Sequence, residues 1–256
     1  MIAVSVSWNC LEVKNIHWSY SRVSSFVSCP YQYYLRYYKK LETIPDTDAG
    51  NPLWLGLSIH KGVEENSVEA ALEEYKSHYN VITDDNINWM MQIEYQLPRV
   101  LELLPKGGEH ELEVKTDDFV GYIDYVCGDT LFDFKFSNNV ESYSQSPQLS
   151  LYKGFLEEVR PDIHINHLKY VMIPKITIRQ KKTETIQEFR SRLQSELEAS
   201  EIKLVEVEYD PTSIPRFKEC CQALSGVTAF PKNETPLCKW CSYEPYCKRG
   251  IDWMLL

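Results

Sequence analysis

Asp133 and Lys135 stand two residues apart within Gly121 to Phe136, GYIDYVCGDTLFDFKF, and Asp124 lies just upstream. Two carboxylates beside an ammonium are suited to holding a divalent cation next to a fixed positive charge. For that chemistry the three side chains must share a face. Phe119 to Val126 is rich in aromatic and β-branched residues, Gly128-Asp129 is a two-residue turn signal, and Thr130 to Phe136 alternates, so the spacing predicts a β-hairpin. Asp133 and Lys135 then share one face, and Phe132, Phe134 and Phe136 take the other. Asp124 joins the polar face if the register allows.

Cysteine supplies a second chemistry. Cys238-x2-Cys241-x5-Cys247 sits among prolines and turn residues, and three thiolates leave a fourth position for Cys220, Cys221 or the distant Cys29. Eight cysteines in a chain with no basic and apolar leader lead us to expect a cytoplasmic protein that ligates a metal or cluster rather than forming disulfides. No apolar run approaches the roughly 18 to 20 residues of a membrane span.

The net charge of −10, from 27 basic and 37 acidic residues, argues against a protein that coats nucleic acid with general positive potential. Local basic patches remain, at Arg36, Lys39 and Lys40, at Lys175, Arg179, Lys181 and Lys182, and at Lys239, Lys248 and Arg249. No G-x-x-x-x-G-K-[ST] loop is present, so no nucleotide cofactor is expected.

Elements must position these groups. A helix from Ser19 or Ser21 is interrupted at Ser28-Cys29-Pro30, and a second runs to about Lys40. It carries five tyrosines, suited either to core packing or to stacking on bases. Trp54 to Tyr79 reads as one helix with Leu55, Ile59 and Val63 on its apolar stripe and His60 beside it. On its own residues His60 reads as a structural histidine. Asn86 to Leu104 is helical, and Glu109 to Lys115 is a strand with Glu109, Glu111 and Glu113 on one face. Pro147 to Val159 is a helix with Gln148 and Tyr152 as neighbours. His167 to Ile173 is a buried strand, Thr185 to Ser200 an amphipathic helix, Ile202 to Tyr209 a strand or its continuation, and Phe217 to Leu224 helical.

The order Cys29-Pro30, His60, Asp124, Asp133-x-Lys135, Gln148-x3-Tyr152, Cys238-x2-Cys241-x5-Cys247 resembles the RecB-like nucleases of the PD-(D/E)XK superfamily. It is most similar to their iron-sulfur branch, which includes exonucleases of CRISPR adaptation modules. The resemblance implies an α/β fold, a restriction-endonuclease-like core whose central mixed sheet is flanked by helices, with a helical and loop periphery closed by a four-cysteine cluster. It implies one nuclease domain over residues 1–256: an extension at 1–18, a helical region at 19–110, a catalytic core at 111–182, and C-terminal helices with the cysteines at 183–256. By the same resemblance, His60, Asp124, Asp133 and the carbonyl of Phe134 hold Mg²⁺ or Mn²⁺, and Lys135 is the catalytic lysine. Gln148 and Tyr152 position DNA. Cys29, Cys238, Cys241 and Cys247 hold a [4Fe-4S] cluster, with zinc as the alternative occupant.

The expected activity is metal-dependent hydrolysis of single-stranded DNA or DNA ends by an exonuclease, with recombination or CRISPR proteins as partners and no membrane. The alternative is a catalytically silent DNA-end-binding subunit with a structural or redox-sensing cluster. Asp124 follows Ile123 where the family often has proline, Asp133 replaces a common glutamate, and Tyr31 stands where a basic residue is frequent. Glu113 is a candidate accessory carboxylate.

Overall fold

The protein is described by a computed structural model over residues 17–43 and 47–249, so most of the N-terminal extension lies outside the described residues. Ser19 caps α1 (Tyr20–Ser28) by accepting from the Arg22 N–H. Cys29 then leaves helical geometry, and Pro30 opens α2 (Pro30–Tyr33), which widens into a π-helical turn over Tyr34–Tyr38. The single helix expected from Trp54 to Tyr79 is two, α3 (Pro52–Glu64) and α4 (Val68–Ser77). Asn66 adopts a positive φ of 50°, a conformation that asparagine tolerates. Ser67 then caps α4 through the Ala70 N–H. The Thr83–Asn86 capping box starts α5 (Asp84–Leu103).

There follow β1 (Glu109–Lys115), β2 (Val120–Cys127), β3 (Thr130–Phe136), α6 (Val140–Ser144), α7 (Gln148–Val159) and β4 (His167–Ile173). Then come α8 (Ile186–Ala199), β5 (Lys203–Val207), α9 (Ser213–Ser225), a 3-10 turn at Pro236–Trp240, and α10 (Glu244–Arg249). Ile202 to Tyr209 therefore contains a strand and does not continue the preceding helix.

The five strands form one mixed sheet in the order β1-β2-β3-β4-β5. Only β3 and β4 are parallel, and α6 and α7 lie between them in the chain, as a parallel pair requires a long crossover. The two faces carry separate cores. Phe132, Phe134 and Phe136 pack with Leu55, Ile59 and Leu97 of α3 and α5; Leu131, Tyr170 and Met172 pack with Leu149, Phe155 and Phe217 of α7 and α9. Among the described residues, no helix is long and apolar enough to cross a membrane.

Candidate metal centre

Gly128, with φ 59°, turns β2 into β3, and the pairs Cys127 with Thr130, Val126 with Leu131 and Tyr125 with Phe132 follow. One more step would set Asp124 opposite Asp133. Like charges in that position repel, and the ladder stops there. The Asp124 carboxylate reaches across instead, accepting the Phe134 N–H at 2.7 Å through Oδ2. Asp124 is 8% exposed and Asp133 1%.

Asp133 is pinned from two sides. Lys135 Nζ lies 2.5 Å from its Oδ2, and the Gln148 amide donates to its Oδ1 at 3.0 Å and to the Tyr152 hydroxyl at 3.2 Å. Tyr152 fits over β2 because Gly121 has no side chain: a Cβ there would meet the Tyr152 ring at 2.8 Å. The second ring of the site is set by α3. Leu55, Ile59 and Val63 bury the stripe that fixes the helix, and His60 stands edge-on to Phe134 with centroids 6.0 Å apart.

His60 Nδ1 is 3.4 Å from Asp124 Oδ1 and 3.7 Å from Glu111 Oε1. One ligand atom from each of these three residues lies within 4.8 Å of the other two. Glu111 is therefore the third member of the tightest group, and Asp133 stands beside it. Glu113, the accessory candidate, points elsewhere and accepts from the Tyr122 hydroxyl at 3.1 Å.

Glu111 arrives there through an unusual backbone, with φ 47°. His110 stacks on Tyr125 at 4.4 Å, and Tyr125 belongs to the α3 and α5 face. Leu112 packs into the core on the other face, although residues two apart in an unbroken strand share a side. The strand turns over at Glu111.

The electrostatics of this group are those of crowded, buried charge. Burial, then the charge of Asp133, pushes the Asp124 carboxyl up to about 7. Burial alone would push His60 down, but Asp124, Glu111 and Asp133 outweigh it and hold the imidazole up to about 9. Lys135 is likewise desolvated, yet Asp133 and Asp124 raise it above its ordinary value, so it stays an ammonium. Burial lifts the Tyr152 phenol to about 12, and it stays protonated.

The sequence profile of the PD-(D/E)XK nuclease superfamily matches residues 17–248. The chain belongs to that superfamily. Among solved structures it is similar to a candidate exonuclease from Eubacterium rectale, with a TM-score of 0.43 and 12% identity over 93% of this chain and 97% of that one. No curated protein matches it.

In this PD-(D/E)XK chain the four expected thiols also come together. Cys29, Cys238, Cys241 and Cys247 line one cavity of about 370 Å³ with Tyr31, Lys232 and Asn233. Burial raises the Cys241 thiol, and the other three add to the effect. Cys220 is exposed and Cys221 is buried among Phe217 and Leu224 on the α7 and α9 side. Neither lines this cavity. Two hydrogen bonds to backbone carbonyls join the same segments: Tyr31 N–H donates to Pro231 O at 3.1 Å, and the Asn233 side-chain amide donates to Ser28 O at 2.7 Å.

Proposed function

We propose that the chain is a divalent-metal-dependent deoxyribonuclease that works as an exonuclease on single-stranded DNA or DNA ends. The observation that carries this reading is the convergence of His60, Glu111 and Asp124 within one ion's reach, next to an Asp133 clamped by Lys135 and Gln148. Three carboxylates there face one permanent cation, Lys135, and a titratable imidazole. Burial, with the Asp133 charge added, keeps Asp124 protonated near neutrality, and a dication there would favour its ionised form. Oxygen donors with a single imidazole suit Mg²⁺ or Mn²⁺, the nitrogen favouring Mn²⁺, and the Phe134 carbonyl is a further donor in this reading. Such an ion, when bound, lowers the pKa of water and neutralises phosphate charge.

The chain's own groups do the rest. Lys135 is charged at neutral pH, so it acts as a fixed positive charge beside the oxygen that becomes negative, not as a base. Gln148 holds Asp133 in its rotamer, and Tyr152 locks Gln148; in this role the pair presents the strand to the carboxylates. In this reading the four thiols hold a [4Fe-4S] cluster, with zinc as the alternative occupant, and their lining of one cavity supports it. With the cysteines in this role, the chain falls in the RecB-like iron-sulfur branch and its partners are recombination or CRISPR proteins.

The test is anaerobic purification followed by digestion of end-labelled single-stranded DNA with Mn²⁺, Mg²⁺ or EDTA. Metal-dependent cleavage reduced about 10²- to 10³-fold in Lys135→Ala and Asp133→Ala is expected. Binding without cleavage, the same in both variants, would make the chain a DNA-end clamp.

A further inference from the structure

The tyrosine-rich segment carries chemistry that the metal centre does not use. Tyr33 and Leu35 are its anchors, 2% and 1% exposed. Tyr31, Tyr34 and Tyr38 form a ladder beside them. Tyr34 stacks on Tyr31 at 6.0 Å and 26°, on Tyr38 at 6.2 Å and 30°, and on Phe230 at 5.1 Å and 27°. Tyr38, the outer rung, is 50% exposed. The rungs sit where α2 widens into its π turn, and the segment ends on Lys40 with φ 51°. Both are backbone features that local propensity disfavours.

Cations frame the ladder. Lys39 Nζ stands 5.6 Å over Tyr34, Lys232 Nζ 5.2 Å over Tyr31, and the Arg36 guanidinium 5.3 Å over Tyr37. Among the described residues, none of Arg36, Lys39, Lys40 and Lys232 forms an ion pair with a carboxylate, and Lys232 donates to the Cys247 carbonyl at 2.6 Å. In a chain with ten more acidic than basic residues, Arg36, Lys39 and Lys40 thus flank the aromatic stack with no carboxylate partner among the described residues.

We infer that the Tyr31–Tyr34–Tyr38 ladder is a platform for single-stranded DNA, bases stacking on the exposed rings and phosphates meeting Arg36, Lys39, Lys40 and Lys232. The inference rests on the nuclease reading for its choice of DNA. An aromatic face is open to any base once the base leaves a duplex, and flanking cations take the backbone, so such a site is tolerant of sequence and selective for single strands. Packed side chains link this segment to the Tyr152 side of the metal centre through the core, where Trp18 and Phe119 are buried. Arg22 stacks over Tyr37 and Trp18, Trp18 bridges Phe119, and Phe119 meets Tyr152 at 6.4 Å.

The test is binding of a fluorescein-labelled thirty-nucleotide oligo(dT) in EDTA, by anisotropy, where no cleavage can occur. Tyr38→Ala should weaken binding about fivefold to a hundredfold, and Tyr38→Phe should keep wild-type affinity, since the ring and not the hydroxyl is the platform. Lys39→Ala should lower the slope of log affinity against log salt by about 0.7. Thermal melts of the variants separate lost binding from lost folding. Wild-type affinity in Tyr38→Ala, or equal competition by duplex DNA, would overturn the platform, and equal competition by oligo(U) would overturn its assignment to DNA. Loss of binding in Tyr38→Ala with no cleavage by the wild type would instead retain the platform and remove the nuclease reading.

Discussion

In the proposed metal centre, protons and a dication would compete for the same atoms of His60 and Asp124. The unfolded chain gives up these protons at its ordinary values, 3.8 for Asp124 and 6.5 for His60, whereas the folded chain holds them to about 7 and about 9. Both folded values are raised. The two groups therefore stabilise the metal-free protein fully at low pH, and their contribution is lost as pH climbs through 7 and then 9. Binding a cation has to expel the same protons. Mn²⁺ affinity should rise by well over tenfold per pH unit below pH 7, where both protons leave, and about tenfold per unit between pH 7 and 8, where only the His60 proton does, with proton release measured by calorimetry in two buffers of different ionisation enthalpy. Affinity that is flat between pH 7 and 8 would remove His60 from the ligands. The residues of this centre were readable in the sequence only as types. Asp133 and Lys135 fell to strand periodicity, but His60 had no local mark, and only the resemblance lifted it above a structural histidine.

Elements decide where those types end up, and here the strand edges matter most. Unbroken alternation through β1 puts Glu111 with Glu109 and Glu113 on one face. Counting back from the turn between Lys115 and Val120 would have set Glu111 opposite Asp124, since their neighbours pair in that register. The left-handed backbone that swings it toward His60 has no sequence signal in a glutamate. That conformation costs on the order of 1 kcal/mol in any residue with a Cβ. Glu111→Gly should raise the Tm of the metal-free protein and weaken Mn²⁺ binding, while Glu111→Gln should weaken binding without the same gain in Tm. Equal melting of the two would show that the backbone there is unstrained.

A neighbouring position tests the helix that carries His60. A Cβ on Gly62 would meet Leu97 Cδ2 at 2.3 Å and the Ala71 Cβ at 2.7 Å, so α3 would have to lift from α4 and α5. Gly62→Ala should destabilise by about 1–3 kcal/mol and reduce metal affinity, read together from a melt with and without Mn²⁺. The broad pattern of helices and strands was legible because amphipathic stripes and turn residues are local. The split of Trp54–Tyr79 was missed because the apolar stripe runs through Asn66 and Ser67, whose turn and cap outweigh it.

Across the whole molecule, the cysteine site joins the first described helices to the last. Cys29 lies 209 residues before Cys238, and closing a loop of that length removes up to about 5 kcal/mol of unfolded-state freedom. Anaerobic chelation, or Cys29→Ser, should lower the Tm by on the order of 10 °C and remove iron and sulfide from the purified protein. A Tm unchanged by chelation would leave the hydrogen bonds from Tyr31 N–H to Pro231 O and from the Asn233 side chain to Ser28 O as the closure. This pairing was half legible. The C-terminal spacing marks three thiols, but which of Cys29, Cys220 and Cys221 completes them is a long-range fact, decided by where α1 and α9 come to rest.

The same closure sets a timetable for the chain as it is made. A ribosome adding about 5 to 20 residues per second needs roughly 10 to 40 s to travel from Cys29 to Cys238. Through that interval Tyr31, Leu35 and Cys29 have no C-terminal segment to pack against, and Tyr243 and Tyr246 have yet to donate to the carbonyls of Leu41 and Glu42. A nascent chain stopped before Cys238 keeps every metal-centre side chain yet has nothing to close over Cys29, so such an interrupted translation product carries the carboxylates without the clasp.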